Sequence, residues 1–184
     1  MKLRTLGSSD LRVSPIGLGT WQFSKGQGIG GNFWSVLEDE NIKEIVRASL
    51  ASGINWFDSA EAYGWGASEK ALASALASLG KDAIIATKWM PVFRTAGSMP
   101  RIVEKQLRRL KHIDLYQVHN PASFSSVEKE MDFLAGLVEK KKIRFIGVSN
   151  FSASRMRRAD RAARRAHPSP RFPARFRVSR SSAR

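Results

Sequence analysis

The sequence predicts an α/β fold built on parallel strands. Three observations carry that expectation. Apolar β-type runs lie at 16–20, 54–58, 83–88, 114–119 and 144–149, and after the first gap they recur about every 30 residues, the size of a βαβ unit. A segment of helical period follows each of the first four runs. The runs are nearly all apolar rather than alternating, which suits strands covered on both faces.

The elements can be taken in order. Residues 3–6 and 11–14 flank the polar turn Gly7-Ser8-Ser9-Asp10 and predict a short N-terminal hairpin. Between 24 and 32 the run Lys25-Gly26-Gln27-Gly28-Ile29-Gly30-Gly31 has too many glycines for a helix or strand and predicts a mobile loop at the functional end of the first parallel strand. Helical spacing then appears in Ile42, Ile45, Val46 and Leu50; in Ala71, Leu72, Ala75 and Leu79; in Met99, Ile102, Val103, Leu107 and Leu110; and in Val127, Met131, Leu134 and Val138. Gly53 and Gly80 stand just past two of these helices, and Ser98 with Pro100 reads as a capped helix start.

Charge divides the chain. Its 184 residues carry a formal +15, but residues 155–184 hold eleven arginines against one acid, Asp160, whereas the first 154 residues mix lysine, arginine and acids ordinarily. We therefore expect a body at 1–154 and an Arg-rich tail at 155–184, either unstructured or out of frame. There is no cysteine, so disulfides and thiolate metal sites are excluded, and no His/Asp/Glu spacing suggests a metal. With no secretory or membrane-spanning run, the cytoplasm is the expected location.

Three successive strands end in an ionisable residue: Asp58, Lys88 and His119. This is where βα folds place their chemistry, and with roughly a quarter of residues charged, three such endings in a row arise by chance at about 2%. Tyr63 follows Asp58 by five residues, in a loop that reaches the same mouth. The set suits carbonyl reduction, in which hydride addition leaves charge on oxygen and calls for a proton donor. Tyr63 can donate that proton, an ammonium from Lys88 favours the phenolate left behind, and Asp58 holds Lys88. His119 can hydrogen-bond the substrate oxygen, orienting the carbonyl or sharing in proton delivery.

Five ordered motifs make the pattern specific: Gly17-Leu18-Gly19-Thr20-Trp21, Asn55-Trp56-Phe57-Asp58-Ser59-Ala60-Glu61-Ala62-Tyr63-Gly64, Ala86-Thr87-Lys88, Gln117-Val118-His119 and Ile146-Gly147-Val148-Ser149-Asn150-Phe151. They resemble the aldo-keto reductases. The resemblance runs from about Leu3 to Arg158 and implies a (β/α)8 TIM-type barrel, here with about five βα units plus the hairpin. It implies NADP(H), less often NAD(H), and a small carbonyl substrate. Carried over by motif, Asp58, Tyr63, Lys88 and His119 form the catalytic tetrad with Tyr63 as acid. Gly19, Thr20 and Trp21 lie beside the nicotinamide ribose, and Ser149 and Asn150 hold the carboxamide.

Weaker signals are weighed against that reading. Gly26, Gly28 and Gly31 match G-x-G-x-x-G, with Asp58 where a Rossmann fold puts its ribose-binding acid, but residues 32–39 separate them from the next helix. Trp21, Trp34, Trp65 and Trp89 could wall an apolar pocket or pack in the core. His112 falls at the opposite end from His119, and His167 in the tail. Lys140-Lys141-Lys142 suits a solvated helix C-terminus. Eight strands make a closed barrel, so the sudden Arg/Ala/Pro/Ser bias predicts truncation or a frame shift near Arg158 and an inactive fragment. Two further alternatives are a nucleic-acid arm, with Pro168, Pro170 and Pro173 keeping it extended and Phe172 and Phe176 stacking on bases, and a cofactor-sensing module of the kind seen in potassium-channel β subunits.

Overall fold

Polar turn residues between two short apolar runs close the chain on itself at once. In the computed structural model, which describes residues 1–28 and 31–166, β1 (Arg4–Thr5) and β2 (Arg12–Val13) pair antiparallel. The Leu6 amide donates to the Leu11 carbonyl at 2.9 Å, and the Ser9 hydroxyl donates to the Leu6 carbonyl at 2.6 Å.

The predicted alternation follows. Strand β3 (Leu18–Gly19) leads through two 3-10 turns, Trp21–Ser24 and Gly31–Phe33, to α1 (Asp39–Ala51). Then come β4 (Trp56–Asp58), α2 (Ala67–Ser78), β5 (Ile84–Trp89), α3 (Met99–Leu110), β6 (Leu115–Val118), α4 (Val127–Glu139), β7 (Phe145–Val148) and α5 (Ala153–Ala166). Strands β3 to β7 form one wholly parallel sheet in sequence order, and successive helices α1 to α5 pack against one another. A Rossmann sheet reverses its strand order at a switch point. This sheet does not, and the glycine run ends in a 3-10 turn rather than opening a helix, so the Rossmann reading falls.

Period-two alternation gives each strand two jobs. Phe57, Ile85, Trp89, Tyr116, Val118, Ile146 and Val148 face the helices and join Ile42, Val46, Leu72, Met99, Val103, Met131 and Leu134 in the main core. Fully burying side chains of this size contributes about 1.5–3 kcal/mol each. On the other face, Trp56, Ile84, Ala86, Leu115 and Phe145 pack with Leu6, Leu11 and Val13 of the hairpin. The hairpin thus plugs the N-terminal end of the inner face. One residue pair further along the same strands, the inner positions turn polar: Asp58, Lys88 and Gln117.

One open alternative is decided and one local expectation needs correcting. Trp89 is wholly buried in the core, giving its indole N–H to the Ser98 hydroxyl at 3.0 Å, so it walls no pocket. Ser98 consequently does not cap α3 with its side chain; its hydroxyl donates to the Thr95 carbonyl, while Pro100 sits in the first turn as expected. Ser126 is the cap the sequence reading missed, its hydroxyl accepting the Lys129 amide of α4. At the other end of α4, Lys140 follows the last turn and Lys142 pairs with Glu104 at 2.9 Å.

Helix α5 runs through the change of composition at Arg155. Its small residues Ala159, Ala162 and Ala163 are buried, and Arg158 grips Glu128 of α4 with two hydrogen bonds of 2.6 and 2.7 Å. Residues 155–166 of the expected tail are therefore an amphipathic helix, alanine inward and arginine outward. The remainder, with His167, Pro168, Pro170, Phe172, Pro173 and Phe176, lies outside the described residues.

Candidate active site

The site is assembled where three parallel strands end side by side. Asp58 closes β4, Lys88 is the penultimate residue of β5, and His119 follows β6 directly. Register aligns Gly19 with Asp58, and Lys88 with Gln117. Because Asp58, Lys88 and Gln117 occupy inner-face positions, their side chains meet over the plugged interior.

Lys88 is the hub. Its side chain is nearly buried, and its ammonium donates to Asp58 Oδ2 at 2.6 Å, to the Ser59 carbonyl at 2.7 Å and to the Tyr63 hydroxyl oxygen at 3.4 Å. An ammonium has three protons, so these contacts use all of them. Burying such a charge is costly unless it is paired and hydrogen-bonded, and here it is both. The second Asp58 oxygen accepts the Gln117 amide at 3.0 Å. Gln117 carries no charge to mark it in the sequence; its phase, matching Lys88 on the neighbouring strand, is the available signal. Gly147 makes room for it, since a Cβ there would come within 2.9 Å of Gln117 Cγ.

Tyr63 arrives from the loop after β4. Its ring stacks on Trp21 with centroids 5.9 Å apart, and meets the His119 ring edge-on at 5.6 Å. The tetrad predicted from sequence thus converges on one mouth. Trp21 also touches Phe33 and Trp34 at 6.5 and 6.0 Å, forming an aromatic wall beside Tyr63. Trp65, exposed and with φ +53°, lines a separate cavity of about 410 Å³ with Lys25, Lys70 and Arg109. The glycine run closes against the Tyr63 loop: a Cβ on Gly28 would lie 3.0 Å from Gly64 Cα, an approach that only glycine allows.

His119 is held without being satisfied. Its Nδ1 is buried and has no hydrogen-bond partner. Burial first, and the Lys88 charge second, push its pKa down to about 4, so the ring is neutral at physiological pH. Neutral imidazole is a hydrogen-bond donor to a carbonyl rather than a charged acid.

A nicotinamide group suits the surrounding residues. Gly19 is exposed, with open space where a Cβ would stand, while Thr20 is fully buried and its hydroxyl contacts Ser68 at 2.8 Å. Thr20 therefore shapes the turn from beneath rather than facing a ligand with its side chain. At the end of β7, the Asn150 amide donates to the His119 carbonyl at 2.8 Å, in a left-handed backbone conformation with φ +60°. That bond ties Asn150 and Ser149 to the mouth. No group of three or more potential metal ligands occurs among the described residues.

These features have counterparts in known proteins. The model of the Aldo/keto reductase family matches residues 15–171. The aldo-keto reductase YhdN of Bacillus subtilis is 38% identical over 169 residues, covering 85% of this chain and 49% of that protein. A 6-dehydroglucose reductase of Novosphingobium aromaticivorans is 31% identical over 165 residues, covering 81% and 51%. The chain spans about half the length of these curated relatives. Among solved structures, a glycerol dehydrogenase from Gluconobacter oxydans superimposes with a TM-score of 0.73 at 30% identity, covering 92% of this chain and 53% of that one. An aldo-keto reductase from Klebsiella pneumoniae in complex with NADPH gives 0.71 at 26%, covering 85% and 52%.

Proposed function

Since the chain belongs to the aldo/keto reductase family, we propose that its site reduces an aldehyde or ketone to an alcohol, with Tyr63 donating the proton. The observation that carries this reading is the set of three hydrogen bonds made by Lys88. Because the ammonium donates to the Tyr63 oxygen, the phenol's own proton is directed elsewhere. The open direction is the mouth, where a carbonyl oxygen would lie.

A bound NADPH or NADH supplies the hydride. Gly19 and Trp21 would border its ribose, with the Thr20 backbone completing the turn and Asp58 at the strand end beside it. Ser149 and Asn150 would hold its carboxamide. As the carbonyl carbon accepts hydride, its oxygen takes the Tyr63 proton, and the phenolate left behind is stabilised by Lys88 until solvent restores the proton. Asp58 keeps Lys88 in place. Gln117 fixes Asp58 through its other oxygen, and His119, neutral, gives a hydrogen bond that orients the carbonyl.

The aromatic wall of Trp21, Phe33 and Trp34 favours a substrate with an apolar body. The test is direct: the full chain is mixed with NADPH or NADH and an aromatic aldehyde, and cofactor oxidation is followed. Turnover that disappears in Tyr63→Phe supports the reading. Turnover that survives this substitution unchanged overturns it.

A further inference from the structure

Glu61 belongs to the motif that supplies Asp58 and Tyr63, yet the tetrad chemistry does not use it. It is a buried carboxylate on the loop between them. Its backbone amide donates to the Lys88 carbonyl at 3.1 Å. Its side chain leaves that loop altogether: one oxygen accepts the Met90 amide at 3.2 Å, and the Arg94 guanidinium grips both oxygens at 2.7 and 2.9 Å. Met90 lies two residues past Lys88, on the segment that leads from β5.

Arg94 extends the connection. Its carbonyl accepts the Phe124 amide at 3.0 Å and the Ser123 hydroxyl at 3.5 Å, and nearby the Ala96 amide donates to the Ser125 hydroxyl at 2.9 Å. Glu61 and Arg94 therefore join the loops that follow β4, β5 and β6, the strands bearing Asp58, Lys88 and His119. Elsewhere Tyr63 is restrained mainly by ring contacts with Trp21 and His119 and by a 3.4 Å bond from Lys88. Ring contacts define the plane of an aromatic side chain more firmly than the height of its hydroxyl. The loop backbone sets that height, and Glu61 anchors the backbone two residues away.

We propose that the Glu61–Arg94 ion pair is a clamp across the rim that positions the Tyr63 hydroxyl against Lys88. Glu61 and Arg94 are positioning residues; neither meets the reacting atoms. An aspartate at 61 would be one methylene short of spanning to Arg94, whose Nη1 donates to both carboxylate oxygens. The inference rests on the reading of the site given above, but its central measurement does not require turnover.

The chain has two tyrosines, and Tyr116 is fully buried with its hydroxyl bonded to Gln106 at 2.7 Å. Labelling tyrosine Cζ with carbon-13 therefore gives two resonances, and Tyr63→Phe assigns them. In the full chain, Glu61→Ala and Arg94→Ala should each displace the Tyr63 resonance in the same direction, whereas the opposite charges they remove would move Tyr116, which feels both, in opposite directions. Glu61→Gln, which retains an acceptor for Met90 but loses the ion pair, should give a smaller displacement in the same direction.

In the reductase assay, kcat should fall by about 10- to 100-fold with KM little changed, the result expected when a reacting group is misplaced by about 1 Å. A Tyr63 resonance identical to wild type in Glu61→Gln and Arg94→Ala overturns the clamp, even if Glu61→Ala fails to fold. A displaced resonance in a chain that shows no turnover with any cofactor supports the clamp and counts instead against the proposed reaction.

Discussion

Strand β6 has a histidine at each end, and the two are treated oppositely. At the N-terminal end, His112 Nε2 meets the Ala83 carbonyl at 3.0 Å and Asp114 Oδ2 at 3.3 Å. Asp114 is buried and accepts the Ile85 amide at 2.9 Å and Arg144 at 2.6 Å, and Arg144 reaches on to Asp10 of the hairpin. The polar groups of this cluster are matched by opposite charge or a hydrogen bond. At the C-terminal end, His119 has a buried nitrogen without a partner and a lysine close by. One end is arranged for stability. The other leaves capacity unused, as a site that must receive a ligand does.

The sharpest way to test this contrast is to remove one group from each end. Tyr63→Phe should lower carbonyl reduction by about 10²- to 10⁴-fold, the usual contribution of a general acid, with no change in thermal unfolding. Asp114→Asn should do the reverse. Its amide cannot accept from Ile85, Arg144 and His112 as the carboxylate does, and we expect a loss of about 2–3 kcal/mol in urea denaturation with activity per folded molecule unchanged. If Asp114→Asn abolished turnover in a fully folded chain, the division of labour between the two ends would be wrong.

The two ends also differed in how far the sequence revealed them. The five strands, the hairpin and four helices were legible because parallel strands buried on both faces leave apolar runs at a regular spacing, and the observed bounds differ from those runs by only a few residues. Asp58, Lys88 and His119 were legible as candidates because strand ends are marked by the apolar run stopping at a charge, and Tyr63 only through the motif it shares with Asp58. Gln117 was not, since an uncharged amide within an apolar run gives no such mark. Glu61 was hidden differently: its partners Met90 and Arg94 lie about 30 residues away, and no local pattern announces a bond between loops. Trp89 was ambiguous because nothing in the sequence says whether the last residue of a strand faces helices or mouth. The start of helix α5, near Ala153, could be read from the family pattern, but its continuation past Ala159 was obscured by composition, its arginines drawing attention from the alanines that pack it.

The histidines make the last and smallest prediction. His119 has its pKa pushed down to about 4 from 6.5, so between these values the unfolded chain binds the proton more readily than the folded one. Its contribution to stability is therefore complete above pH 6.5 and declines as the pH falls toward 4. His112 has its pKa raised, first by its hydrogen bond to Asp114, with burial opposing. Its contribution is full below 6.5 and disappears as the pH rises through its folded value. Urea midpoints measured across this window for wild type, His119→Asn and His112→Asn should separate the two. His119→Asn should remove about 1–3 kcal/mol of the acid-side loss, whereas His112→Asn should weaken the fold more at acid pH than at alkaline pH. Equal slopes in all three chains would mean that neither ring titrates differently on folding. The contrast would then rest on hydrogen bonding alone, with no difference in charge between the two ends of β6.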